Sequence, residues 1–272
     1  MLVANLAHAY ALGPAASRRA AAARLSMGTT SNDDSLLPFV ALSTGESTAE
    51  VHLFGGCVTS YTKGGVEQLA HRLDSRLDGV KPISGGIPFC FPQFGPGVLQ
   101  QHGFARNLDW EIAATTGGAA PSVELRLTEN DYTLGMWPHA FECTYTVTLM
   151  PDRLATTFRV TNTGKSGFEF TAALHTYLAV SSVANVQLLG DFEDSEYLDK
   201  LDGLTRRAPA AALRIDGAID AAYPNPNPNP NSNSNPNLTL ALTSTLALTS
   251  TLALTRRNRR CVPRGVGRRN AR

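Results

Sequence analysis

Between Cys143 and Val160 the apolar residues return at every second position, and this alternation constrains the fold more than any other feature of the chain. In Cys143-Thr-Tyr-Thr-Val-Thr-Leu149, Tyr145, Val147 and Leu149 share one face and Thr144, Thr146 and Thr148 the other, the pattern of a half-buried strand. Pro151-Asp152 interrupts it, and it resumes with Leu154, Thr156, Phe158 and Val160 on one side, which predicts a hairpin. Val123, Leu125 and Leu127 alternate with Glu124 and Arg126 in the same way, and Phe168 to Val180 reads as a further strand. Residues 40 to 200 carry no amphipathic stretch of ten or more residues between these segments. Parallel βαβ units are therefore disfavoured, and an all-β, antiparallel sandwich is expected.

The 272 residues, 43% of them hydrophobic, suffice for one large β domain or two ordinary ones. Charge divides the chain into three. Residues 1 to 32 hold three Arg and no acid, and residues 224 to 272 hold eight Arg and no acid. The middle carries 13 basic against 23 acidic groups, a net charge of −10. An acidic domain is a poor electrostatic partner for nucleic acid, so none is expected. Cys57, Cys90, Cys143 and Cys261 are spaced neither as zinc ligands nor as a dense disulfide framework, which favours a reducing compartment. No run of 18 apolar residues occurs, so no membrane-spanning helix is expected.

Three segments follow: 1–35 as a transit peptide or disordered extension, 36–223 as the sandwich domain, and 224–272 as a low-complexity tail. The first stretch is rich in Ala, Arg and Ser, the composition of organelle targeting, with a plastid as the expected destination and the cytoplasm as the alternative. The tail alternates Pro-Asn and Ser-Asn to Asn237, then repeats Thr-Leu-Ala-Leu-Thr-Ser from Thr239 to Thr255, and neither tract can bury a core of its own. A nucleotide repeat AACCCT reads Asn-Pro in one frame and Thr-Leu in the next. Both tracts are thus expected to be one translated simple repeat; a β-solenoid, the alternative, would need more units.

The densest chemistry lies in Lys81-Pro-Ile-Ser-Gly-Gly-Ile-Pro-Phe-Cys-Phe-Pro-Gln-Phe-Gly-Pro-Gly97 and the following Gln100-Gln-His-Gly-Phe-Ala-Arg106. So much Gly and Pro excludes regular ladders and predicts a long ordered loop, anchored by Phe89, Phe91, Phe94 and Phe104. Gln101, His102 and Arg106 place three hydrogen-bonding groups within six residues, suited to sugar hydroxyls or a phosphate. The alternative is that Arg106 pairs with Asp109 and His102 is an ordinary loop histidine. In Thr171-Ala-Ala-Leu-His-Thr-Tyr-Leu178, period two puts His175 beside Ala173 and Tyr177. A half-buried imidazole there is either structural or a general acid. A metal site from His102, His139 and His175 would resemble a cupin, but cupins place two His one residue apart and no His-x-His occurs.

Gly85-Gly-Ile-Pro-Phe-Cys-Phe-Pro-Gln-Phe-Gly95, Gln101-His-Gly-Phe-Ala-Arg-Asn107, Leu174-His-Thr-Tyr177, Tyr197-Leu-Asp-Lys200 and Asp216-Gly-Ala-Ile-Asp-Ala-Ala-Tyr223 together resemble the glucose-6-phosphate 1-epimerase family, hexose-phosphate mutarotases related to aldose 1-epimerase. The resemblance implies a galactose-mutarotase-like β-supersandwich, incomplete at its C-terminal end. It also implies a monomer, without metal or cofactor, that interconverts the α and β anomers of a hexose 6-phosphate. By the same matching His175 is the catalytic acid. Gln101, His102, Arg106 and Asp220 bind substrate, with Arg106 on the phosphate. Ser84 stands in the substrate-binding set at a position the family often fills with Arg. The family's catalytic Glu lies on a strand beyond the Asp220 position, and the chain has no Glu after Glu196. An impaired epimerase, or a carbohydrate-binding remnant without turnover, is therefore expected.

Overall fold

In the computed structural model the described residues are 2–5, 21–32, 35–45, 47–183, 186–189, 196–208, 212–215, 218–223 and 238–240. Two five-stranded antiparallel sheets dominate. One is ordered Ala21–Asn32, Ser35–Gly45, Ser47–His52, Cys57–Lys63, Val66–Glu67. The other is ordered Leu238–Leu240, Leu154–Asn162, Phe141–Leu149, Ser122–Thr128, Glu111–Thr116.

The predicted hairpin is present with its register set by the alternation: Leu149 lies opposite Leu154 and Tyr145 opposite Phe158. Phe141, Cys143, Tyr145, Val147 and Leu149 all face inward, as do Leu154, Phe158 and Val160. A one-residue slip would turn every one of them to water, so burial itself fixes the pairing. From the first sheet Val40, Leu42, Ala49, Val51, Val58 and Tyr61 meet this face and complete one core. The Phe141–Leu149 strand packs directly on Ser47–His52. The fold class is therefore all-β, two antiparallel layers closing on a shared interior.

Smaller pieces ride on this body. Leu2–Asn5, Asp220–Tyr223, Glu196–Asp199 and Thr205–Arg207 form a four-stranded sheet, with Tyr197 stacked on Tyr223 at 4.7 Å. Residues 6–20 of the basic N-terminal stretch, and the repeat tail apart from Leu238–Leu240, lie outside the described residues.

Two local features depart from the sequence reading. A six-residue helix, Asp131–Met136, begins at Asn130, whose side chain accepts the Thr133 N–H while the Thr133 hydroxyl accepts the Asn130 N–H, a reciprocal cap. The expected strand from Phe168 to Val180 shrinks to Ala173–Leu174, paired with Phe89–Cys90. The rest runs as a broken ladder. The Thr171 N–H bonds the Pro92 carbonyl at 2.8 Å, that of His175 the Pro88 carbonyl at 2.9 Å, and that of Tyr177 the Gly86 carbonyl at 2.8 Å. Pro88 and Pro92 accept but have no N–H to return, so a continuous ladder cannot form along this partner.

Candidate active site

Aromatic packing holds the Gly/Pro loop against the core. Phe89 meets Phe158 edge-on at 4.4 Å, and Phe91 sits 5.8 Å from Phe158 and 6.1 Å from Phe104. Phe89, Phe91 and Phe104 are buried as expected; Phe94 is not an anchor but lies half-buried beside the histidines. The Phe91 carbonyl accepts both the Phe104 and Ala105 N–H groups, at 3.0 and 3.1 Å. That crossing needs glycine at 103, where φ is +70° and a Cβ would lie 2.2 Å from the Phe91 oxygen. His102 is thereby delivered to the start of the loop, and the broken ladder delivers His175 to the same place.

The two imidazoles meet edge to face with ring centres 5.6 Å apart. Phe94 lies 5.4 Å from His102 and 6.4 Å from His175, and Tyr177 covers the other side of His175 at 5.1 Å. The Lys200 ammonium sits over the Phe94 ring, 5.5 Å from its centre, and 3.4 Å from Asp220 Oδ1. That carboxylate oxygen is buried and accepts no hydrogen bond; the Lys200 contact is an ion pair without hydrogen-bond geometry. The Lys200 N–H donates to the Asp220 carbonyl at 2.7 Å, so the backbone holds the two residues together whatever their side chains do.

Arg106 lies on a single turn, Ala105–Asn107. Its Nη2 donates to the Gln101 carbonyl at 2.9 Å, and its Nε is buried with no partner. The expected alternative, a pair with Asp109, does not form. Among the described residues Arg106 has no ion pair, so a guanidinium with donors to spare stands at the site. Gln101 supplies that carbonyl, while its side chain is exposed at the rim.

Electrostatics follow from this placement. Burial lowers the His102 pKa to about 4, helped by Arg106, His175 and Lys200. His175 is lowered as well, first by burial; a hydrogen bond with its own backbone opposes the shift, Arg106 and Lys200 add to it, and Asp220 opposes it. Both imidazoles are therefore neutral near pH 7, under the field of two cations.

The structure thus brings together His102, His175, Arg106 and Asp220 from the sequence-predicted set. Ser84 is apart. Its N–H bonds Ser75 Oγ at 3.3 Å and its carbonyl accepts the Arg72 N–H at 2.9 Å. No described contact joins it to the imidazoles. His139 packs instead on Trp137 and Phe168, at 4.7 and 5.3 Å. Sequence reasoning missed Phe94 and Lys200 as site residues. Lys200 closes Tyr197-Leu-Asp-Lys200, one of the resemblance motifs, but a lone Lys in the turn after a short strand carries no chemical signal of its own.

The two-layer antiparallel body thus carries a histidine pair, drawn from two separate segments, flanked by one guanidinium and one ammonium. Residues 38–230 match the family model described as aldose 1-epimerase, and the chain belongs to that family. A relative from Cenchrus ciliaris, named "Putative glucose-6-phosphate 1-epimerase", is 37% identical over 187 residues, 64% of this chain and 56% of its own length. A protein of the same name from Escherichia coli strain K12 is 36% identical over 126 residues, 44% of this chain and 40% of its own. The crystal structure of a "putative mutarotase" from Salmonella typhimurium superposes with a TM-score of 0.66 at 25% identity, covering 74% of this chain and 67% of that one. Galactose 1-epimerase from Lactobacillus acidophilus, at 15% identity and a TM-score of 0.52, covers 72% of this chain and 64% of its own and shares the fold. The chain spans just over half the length of the Cenchrus relative.

Proposed function

We propose that this site binds a hexose 6-phosphate and promotes interconversion of its α and β anomers, with His175 as the acid. The observation that carries the reading is the convergence of His102 and His175, 5.6 Å apart, on a surface where Arg106 keeps an unpartnered buried Nε and Lys200 stands over Phe94. A neutral pair of imidazoles suits hydroxyls and a ring oxygen, and two cations suit a phosphate.

Ring opening needs a proton delivered to the ring oxygen while the anomeric hydroxyl loses one. His175 in its resting state is a poor proton source because burial and the nearby cations hold its pKa down. A dianionic phosphate beside Arg106 and Lys200 offsets their field and lifts the proton affinity of His175, so the substrate that fits the site also readies its acid. His102 holds the sugar and Arg106 its phosphate, and Asp220, whose buried Oδ1 has room for a donor, accepts from a hydroxyl. The proton acceptor implied by the resemblance is a Glu on a strand beyond Asp220, and the chain has no Glu after Glu196. Water is left to take the anomeric proton, so turnover is weak and the ring is held more readily than it is opened.

Exchange of glucose 6-phosphate anomers, followed by two-dimensional NMR, tests this. A slow protein-dependent exchange that disappears in His175→Ala is expected, since a positioned acid contributes roughly a hundredfold or more. Exchange unchanged in that variant would remove His175 from the role.

A further inference from the structure

His102 is the only non-glycine among the described residues with a left-handed backbone, φ 70°. Such a conformation strains any residue that carries a Cβ, so something must hold it. Gly95 does so twice: the His102 N–H donates to the Gly95 carbonyl at 3.1 Å, and the Gly95 N–H donates to His102 Nδ1 at 3.1 Å. A backbone N–H can only donate, so Nδ1 must be the bare nitrogen of the ring. The proton of the neutral imidazole then resides on Nε2, and His102 presents a donor.

Gly95 is held in turn by Gln93. The Gln93 amide nitrogen donates to the carbonyls of Gly95 at 3.1 Å and Leu99 at 3.2 Å, with that of Gln100 at 3.5 Å, while its Oε1 accepts the Leu99 N–H at 3.1 Å. One side chain thus replaces the ladder that a Gly/Pro loop cannot make. The loop is wrapped so closely around it that a Cβ at Gly97 would lie 2.3 Å from Gln93 Oε1.

We propose that Gln93 is a positioning residue: by shaping the 93–100 loop it makes Gly95 clamp His102, which then offers a sugar hydroxyl an Nε2–H donor in a fixed orientation. The sugar's part in this rests on the function proposed above; the clamp itself does not. The low proton affinity of His102 is consistent, because a protonated ring would turn Nδ1–H against the Gly95 N–H.

Long-range ¹H–¹⁵N spectra of the uniformly labelled full chain near pH 7, with His102 assigned by its loss in His102→Gln, read the clamp without any substrate. The expected result is two widely separated His102 nitrogen signals with the proton on Nε2. Gln93→Ala should pull them toward a common average while the His52 signals and the melting temperature of the domain stay in place. Titration with glucose 6-phosphate should then be about tenfold weaker in Gln93→Ala, the size of one net hydrogen bond. Should Gln93→Ala fail to fold, Gln93→Glu keeps the volume and the bond from Leu99 but removes both donors, and the same averaging is expected. His102 protonated on Nδ1 in the unaltered chain, or unchanged His102 signals in the folded variant, overturns the clamp. An intact clamp in a chain that does not bind glucose 6-phosphate supports the clamp and overturns the functional reading instead.

Discussion

His52 is buried and His102 and His175 are half-buried in the folded chain, and each is less basic than a free imidazole. His52 is fully buried, its Nδ1 on Thr59 Oγ1 at 2.9 Å, and burial with the nearby His71 lowers its pKa to about 4; His102 is lowered to the same value. Between about pH 6.5 and 4 the unfolded chain therefore binds protons that the folded chain refuses, so stability rises with pH across that window and is lost as pH falls through it. Urea unfolding should show a midpoint that drops steadily from pH 7 to pH 5, above the range where most carboxylates titrate. His52→Gln should shallow that slope by about one proton's share. A midpoint flat from pH 7 to pH 5 would mean that these imidazoles protonate without leaving their places.

At the scale of the elements, the strands that sequence made legible are those with one wet face. Ser122–Thr128, Phe141–Leu149 and Leu154–Asn162 alternate because Glu124, Arg126, Thr144, Thr146, Thr148, Thr157 and Arg159 face outward. Phe168 to Val180 looks like a strand from its apolar residues alone, and only its partner, with Pro88 and Pro92, breaks it. The Asp131–Met136 helix escaped because six residues are too few for a helical period; its one signal is the Asn130 cap three residues before Thr133. The site was legible as motifs but not as a place, since the meeting of His102 with His175 depends on one tight crossing. That crossing predicts a contrast between glycines. Gly103→Ala should cost about 3 kcal/mol or more, because its Cβ would strike the Phe91 carbonyl at 2.2 Å and the backbone there cannot yield. Gly64→Ala has a similar φ of +58° with nothing within 4 Å and should cost only about 1 kcal/mol. Equal losses in urea unfolding would show that conformation, not the crossing, makes Gly103 necessary.

For the whole molecule, the sandwich is a platform and the loops packed on it carry the candidate site. The core of one layer, through Phe158, positions Phe89 and Phe91; these position the loop, and the loop positions two imidazoles under the field of Arg106 and Lys200. We propose that this field selects a phosphorylated sugar. Calorimetric titration of the chain with glucose 6-phosphate and with glucose, before and after Arg106→Ala, tests it most directly. A charge-assisted bond is worth roughly 1.5 to 3 kcal/mol, so the phosphorylated sugar should bind at least about tenfold more tightly, and Arg106→Ala should remove most of that difference while hardly changing the affinity for glucose. Equal affinities for the two sugars, or equal losses on removing Arg106, would contradict the claim and leave Arg106 as a brace for the Gln101 carbonyl.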